Sequence, residues 1–124
     1  MIAIQNEDGS IDAVRCHYDG GPEVVGEGLL ASFQEADCIR RLIAGGELKY
    51  IDEGGLHEHY TEEDGRDEAK HFLALEEAMN YFIDGIAEYF YLWDGEWSFI
   101  ARYGLVVPWL EEKRGFKSLK DELQ

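Results

Sequence analysis

The sequence predicts a single α+β domain, with an antiparallel sheet from two hairpins packed against two or three helices. Asp8-Gly9 and Asp94-Gly95 each sit between apolar runs, and glycine after aspartate suits a tight hairpin turn. Apolar residues also recur at helical spacing over 24–33, 35–44 and 73–83. The chain's 124 residues suit one ordinary domain, and 45% hydrophobic content provides for a core and argues against disorder.

Taken in order, Ile2 and Ile4 open the first hairpin. Its second strand alternates from Ile11 and Ala13 towards Tyr18. Asp19-Gly20-Gly21-Pro22 breaks the pattern into a loop. A helix over 24–33 follows, with Val25, Leu29, Leu30 and Phe33 on one face. Gly26 and Gly28 each weaken it by about 1 kcal/mol relative to alanine, which implies a close backbone approach there. A second helix covers 35–44 and stops at Gly45-Gly46, and residues 48–51 form a short strand. Residues 52–71 read as a long exposed excursion, acidic and interrupted by Gly54, Gly55 and Gly65. The helix over 73–83 puts Leu75, Ala78, Met79, Phe82 and Ile83 towards the core and ends at Asp84-Gly85. Residues 89–93 and 97–101 form the second hairpin, apolar on both faces and therefore central in the sheet. Pro108 makes 104–109 irregular or an edge, and Phe116, Leu119 and Leu123 suit a short helix.

With 27 acidic and 11 basic residues, the formal net charge is −16. A field of that sign repels phosphate backbones and anionic membranes and attracts basic surfaces. Direct contact with nucleic acid or membrane is not expected, and no apolar run reaches the roughly 18 residues of a spanning helix. Solubility and adaptation to high salt are the competing readings of the charge. No secretory leader is visible, so a reducing cytoplasm is expected, with Cys16 and Cys38 acting as small buried hydrophobes.

The most specific local feature is His17-Tyr18-Asp19-Gly20-Gly21-Pro22-Glu23-Val24-Val25-Gly26. It resembles the His-aromatic-Asp-Gly-X-Pro-X-X-X-Gly signature of a group of small phage- and prophage-encoded proteins. In that group, too, the signature follows a short strand and precedes a helix ending in Leu-Leu. The helix and turn at Leu42-Ile43-Ala44-Gly45-Gly46 and the Tyr91–Trp97 run are similar to its continuation. The chain departs from the group at Gly21, where an aromatic is usual. The resemblance implies a phage origin and an infected bacterial host, but no activity.

Within that motif, His17 beside Asp19 and Glu23 could support acid–base chemistry, since a carboxylate raises an imidazole's proton affinity. The favoured reading is a structural turn in which Asp19 caps backbone N–H groups and Gly20, Pro22 and Gly26 shape the chain. Cys16, His17, Cys38, His57, His59 and His71 lack the paired clusters of a zinc site, and no calcium or phosphate-loop motif is present, so no metal and no cofactor are expected. The aromatics Tyr89, Tyr91, Trp93, Trp97 and Phe99 could stack a nucleobase, but at strand spacing they read as core.

The leading functional expectation is a non-enzymatic, phage-encoded inhibitor. It would occupy a basic surface on a host defence or nucleic-acid-handling protein, as a nucleic-acid mimic. The residues expected to meet that partner are Glu58, Glu62, Glu63, Asp64, Asp67, Glu68, Glu76 and Glu77. The alternative is a binder that sequesters a defence nucleotide through Arg15, Arg40, Arg41 and Arg102. An enzyme using His17 and Asp19 is the weakest reading. The oligomeric state stays open, a homodimer included.

Overall fold

The structure is a computed structural model and describes residues 1–18, 21–102 and 116–123. Asp19, Gly20 and the 104–109 run lie outside the described residues. The two hairpins form as the turn dipeptides require. Strands β1 (Ile2–Gln5) and β2 (Ile11–Val14) are joined by a turn with Gly9 at φ 87°, where Asp8 Oδ1 accepts the Ser10 N–H at 2.9 Å. After Gly21, also at φ 87°, a π-helical turn over Pro22–Gly26 runs into helix α1 (Glu27–Ser32). Proline suits that first turn because its missing N–H would have no helical partner.

Helix α2 (Ala36–Ala44) ends as expected at Gly45-Gly46, with Gly46 at φ 83°. Strands β3 (Leu48–Ile51) and β4 (His57–His59) form a separate two-stranded sheet, and the backbone at Cys16–Tyr18 runs alongside β3. The 52–71 stretch is exposed over most of its length, but it is not structureless. It contains β4, a 3-10 turn at Glu62–Asp64 and the start of β5 (Lys70–Phe72). The last of these ties the end of the stretch into the main sheet. β5 pairs antiparallel with β2, which supplies the ladder partners that three isolated residues lack.

Helix α3 (Leu75–Asp84) buries Ala78, Met79 and Phe82, whereas Ile83 is exposed. The second hairpin pairs β6 (Tyr89–Trp93) with β7 (Trp97–Ala101), and β8 (Lys117–Ser118) leads into helix α4 (Leu119–Glu122). The main sheet runs β5-β2-β1-β6-β7-β8. Its hairpins meet through a parallel pairing of β1 with β6, Ala3 opposite Leu92, so a mostly antiparallel sheet has one parallel seam. A long connection separates these strands in sequence, and local turn geometry therefore does not set their direction.

Alternate side chains of β1 enter two cores. Ile2 and Ile4 join Tyr91, Trp97, Phe99 and the apolar faces of α1, α2 and α4, while Ala3 joins Phe90, Leu92 and α3. Helices on both faces explain why β6 is apolar on both sides. Tyr91, Trp97 and Phe99 are buried, with Tyr89 and Trp93 packed against them, so the aromatic row is core as expected. Among the described residues no helix is long and apolar enough to cross a membrane.

Candidate functional site

Residues 47–68 carry nine carboxylates and only two Lys or Arg side chains, Lys49 and Arg66. They are organised by backbone and by those two cations. Asp52 Oδ1 accepts the N–H groups of Gly54 and Leu56, each at 2.9 Å, which closes the β3–β4 turn. Thr61 and Asp64 form a reciprocal cap on the 3-10 turn. Hydrogen bonds from the Thr61 N–H and hydroxyl hold the Asp64 carboxyl below the usual aspartate range. Arg66 donates to the Tyr60 carbonyl at 3.1 Å and stands 3.7 Å from Glu62 and 3.3 Å from Glu68. Lys49 lies 3.4 Å from Glu58.

Glu47, which no motif or periodicity singles out, anchors this unit from beneath. It is buried, its Oε1 accepts the Asp67 N–H at 3.0 Å, and its backbone N–H donates to the Asp67 carbonyl at 2.9 Å. The expected partner-facing residues Glu58, Glu62, Glu63, Asp64, Asp67 and Glu68 therefore share one hydrogen-bonded unit. Glu76 and Glu77 lie apart from it, in the first turn of α3, where carboxylates favour the positive helix end. Glu77 also accepts the Leu73 N–H at 2.9 Å, so its role is local capping.

The motif residues are placed by close packing. A Cβ on Gly28 would overlap the Asp52 carbonyl oxygen, and one on Gly26 would lie 2.7 Å from Leu119 Cδ1. These are the close approaches that two glycines in a helix imply. The motif helix thus seats the base of the acidic unit on one side and α4 on the other. The His17 N–H donates to the Leu48 carbonyl at 2.8 Å, and its exposed imidazole sits edge-on to Tyr18 and Tyr60, at centroid distances of 5.0 and 5.9 Å. Glu23 is exposed, with its carboxylate close over Gly21.

The histidines of the 52–71 stretch lie on β4 and β5. His57 and His59 lie on β4, with Nδ1 atoms 3.2 Å from the Gly55 carbonyl and 2.8 Å from the Gly46 carbonyl. His71 Nδ1 lies 2.7 Å from Asp12 Oδ1. Among the described residues no cluster of three potential metal ligands exists. Cys16 is buried and Cys38 half-buried, and no disulfide joins them.

The four arginines of the nucleotide reading are held by different elements. Arg15 lies 3.9 Å from Glu47, Arg40 donates to Asn6 at 3.2 Å, and Arg41 contacts Cys38. Arg102 closes the C-terminal end of α3. Its guanidinium donates to the carbonyls of Phe82 at 2.9 Å, Ile83 at 3.1 Å and Ala87 at 2.9 Å, and also to that of Gly85.

One further feature is a cleft between residues 15–18 and the α3–β6 connection. Two adjoining hollows of about 470 and 190 Å³ share Arg15, Ile86 and Ala87. The one available sequence signal was Ile86, an aliphatic residue in a turn where helical periodicity has ended. Comparison of the chain with family models, curated proteins and solved structures gives no match in any of the three.

Proposed function

We propose that the chain is an acidic binding protein that inhibits a nucleic-acid-handling protein by occupying its basic surface. The observation that carries this reading is the 47–68 unit. Its carboxylates outnumber its basic side chains; caps and main-chain hydrogen bonds hold Glu47, Asp52 and Asp64, and ion pairs with Lys49 and Arg66 orient Glu58, Glu62 and Glu68. Pre-ordered carboxylates lose less entropy on docking than those of a loose acidic tail, and a single-signed field speeds encounter with a basic partner. Two carboxylates of this unit flank Arg66, and Glu58 flanks Lys49, which leaves the surface strongly negative. The resemblance of residues 17–26 to the phage-encoded group supports a setting in an infected bacterium, with a host defence or nucleic-acid-handling protein as target.

Affinity capture from bacterial lysate tests this reading. At about 50 mM salt the chain should retain nucleic-acid-binding proteins, and duplex DNA should displace them. At about 500 mM salt, where the Debye length falls to a few ångströms, they should be released. The combined variant Glu58→Gln, Glu62→Gln, Glu63→Gln and Glu68→Gln should remain folded and lose the capture. Equal capture by the variant, or no nucleic-acid-binding protein at low salt, would refute the proposal.

A further inference from the structure

We propose that His57 and His59 form a two-imidazole site for a borderline divalent metal ion, of the class of Zn²⁺ or Cu²⁺. The inference is independent of the preceding reading, because coordination rests on nitrogen lone pairs and not on the net charge. Residues i and i+2 of a strand share a face, so β4 places both side chains on one side of the two-stranded sheet. Their ring centroids lie 5.5 Å apart, with the ring planes at 88°. Metal–nitrogen bonds of about 2.0–2.1 Å put two imidazoles of one tetrahedral ion about 5 Å apart between centres. A closing movement of about half an ångström therefore brings the pair to chelating distance.

Backbone carbonyls set the tautomer of both rings. A carbonyl only accepts, so Nδ1 carries the N–H in each neutral imidazole, donating to Gly55 at 3.2 Å and to Gly46 at 2.8 Å. The lone pair then sits on Nε2, and among the described residues no hydrogen bond engages either Nε2. Metal-binding histidines show this same arrangement, one nitrogen on the ion and the other donating to a carbonyl or carboxylate. Gly45 supplies a second observation. A Cβ there would stand within 2.9 Å of Cε1, Nε2 and Nδ1 of His59. The φ of Gly45 is −69°, so the end of α2 does not require glycine at that position. What requires it is the His59 ring, which packs against the main chain while Gly46 provides its acceptor. Phe33 stands edge-on to His57 at 5.5 Å and positions the second ring.

Ligand type and access identify the occupant. Neutral imidazole suits zinc, copper and nickel, whereas magnesium and calcium take oxygen ligands. His57 is exposed, and half-buried His59 borders an open hollow of about 620 Å³, so an ion reaches both. The cations of the surrounding unit are already matched. Arg66 stands 3.7 Å from Glu62 and 3.3 Å from Glu68, and Lys49 stands 3.4 Å from Glu58. Among the described residues no third ligand joins the pair, so this is an open site and not a closed four-ligand structural centre.

The test uses the whole chain, stripped with a chelator and titrated with Zn²⁺ at about pH 7.5, where an unperturbed imidazole is neutral. Calorimetry should show one equivalent bound, and side-chain NMR should show the Nε2 resonances of His57 and His59 moving together. His57→Ala and His59→Ala should each weaken binding at least about tenfold. Gly45→Ala removes no ligand but displaces the His59 ring, and should weaken binding about tenfold. His71→Ala, on the other sheet, should leave the affinity unchanged. Thermal melts without metal verify that the variants fold, and the two histidine variants decide the matter if Gly45→Ala does not. Affinity unchanged in both His57→Ala and His59→Ala overturns the proposal. So does loss of binding in Cys38→Ser or in the combined variant Glu62→Gln and Glu63→Gln, which would place the ion on other ligands. Absence of saturable binding up to about 1 mM Zn²⁺ overturns it as well.

Discussion

Gly26 and Gly28 differ in what surrounds them, and the difference sets the cost of adding a methyl group. At Gly28 the methyl meets the Asp52 main-chain carbonyl and lies 2.7 Å from Ile51 Cγ2, so the helix or the strand must move. At Gly26 it lies 2.7 Å from Leu119 Cδ1, the far end of a side chain that can turn away. Alanine also gains about 1 kcal/mol of helix propensity at either position. Overpacking against fixed backbone costs about 3 kcal/mol, so Gly28→Ala should destabilise by about 2 kcal/mol net. Gly26→Ala should be close to neutral. Urea denaturation midpoints of the two variants check this, and equal losses would mean that the contact with Asp52 is not what fixes the glycine. The glycines themselves were visible in the sequence as an anomaly in a helix. Their partners were not, because Asp52 and Leu119 are remote in the chain.

Elements set by local rules were legible, and those set by distant pairing were not. Asp-Gly turns and helical spacing located both hairpins, α1, α2 and α3 to within a few residues. The parallel seam of β1 with β6 and the docking of β5 on β2 join residues tens of positions apart. No turn dipeptide announces such pairings. The cleft escaped for the same reason, since residues 15–18 and 81–88 meet only in the fold. These turns and pairings also carry a pH signature. Asp8 is held below the ordinary aspartate value of 3.8 by the Ser10 hydroxyl and N–H, and Asp64 by Thr61. For Asp12, burial acts to raise the value, but hydrogen bonds with Asn6 and His71 outweigh it and the net shift is downward. A carboxyl with a lowered folded value stabilises the fold above its unfolded value, and that stability is lost as pH falls through the folded value. Loosening of the β1–β2 turn, the β2–β5 pairing and the 3-10 turn is therefore expected below about pH 4 and not between pH 5 and 7. Amide protection at residues 6–12 and 61–65, taken relative to the intrinsic exchange rate at each pH, should fall in that window. Unchanged protection down to pH 3 would count against these bonds.

For the whole molecule, one field has opposite effects on folding and on binding. A net charge of −16 on a chain this small opposes compaction through self-repulsion, while the same charge draws a basic partner in. Added salt screens both interactions, because the Debye length falls from about 10 Å at 0.1 M to about 3 Å at 1 M. Thermal stability at pH 7 should therefore rise from low salt to about 0.5 M, while affinity for a basic peptide falls over the same range. The exposed ion pairs of Lys49 and Arg66 work against the first trend, but such surface pairs contribute only about 0–1 kcal/mol each and cannot reverse it. If the acidity served the fold alone, as it does in salt-adapted proteins, stability would rise with salt and peptide affinity would be absent at every concentration. Melting temperature and peptide anisotropy measured across one salt series separate the two cases. Trends of opposite sign are the outcome expected of a binding protein that keeps its charge at the expense of its own stability.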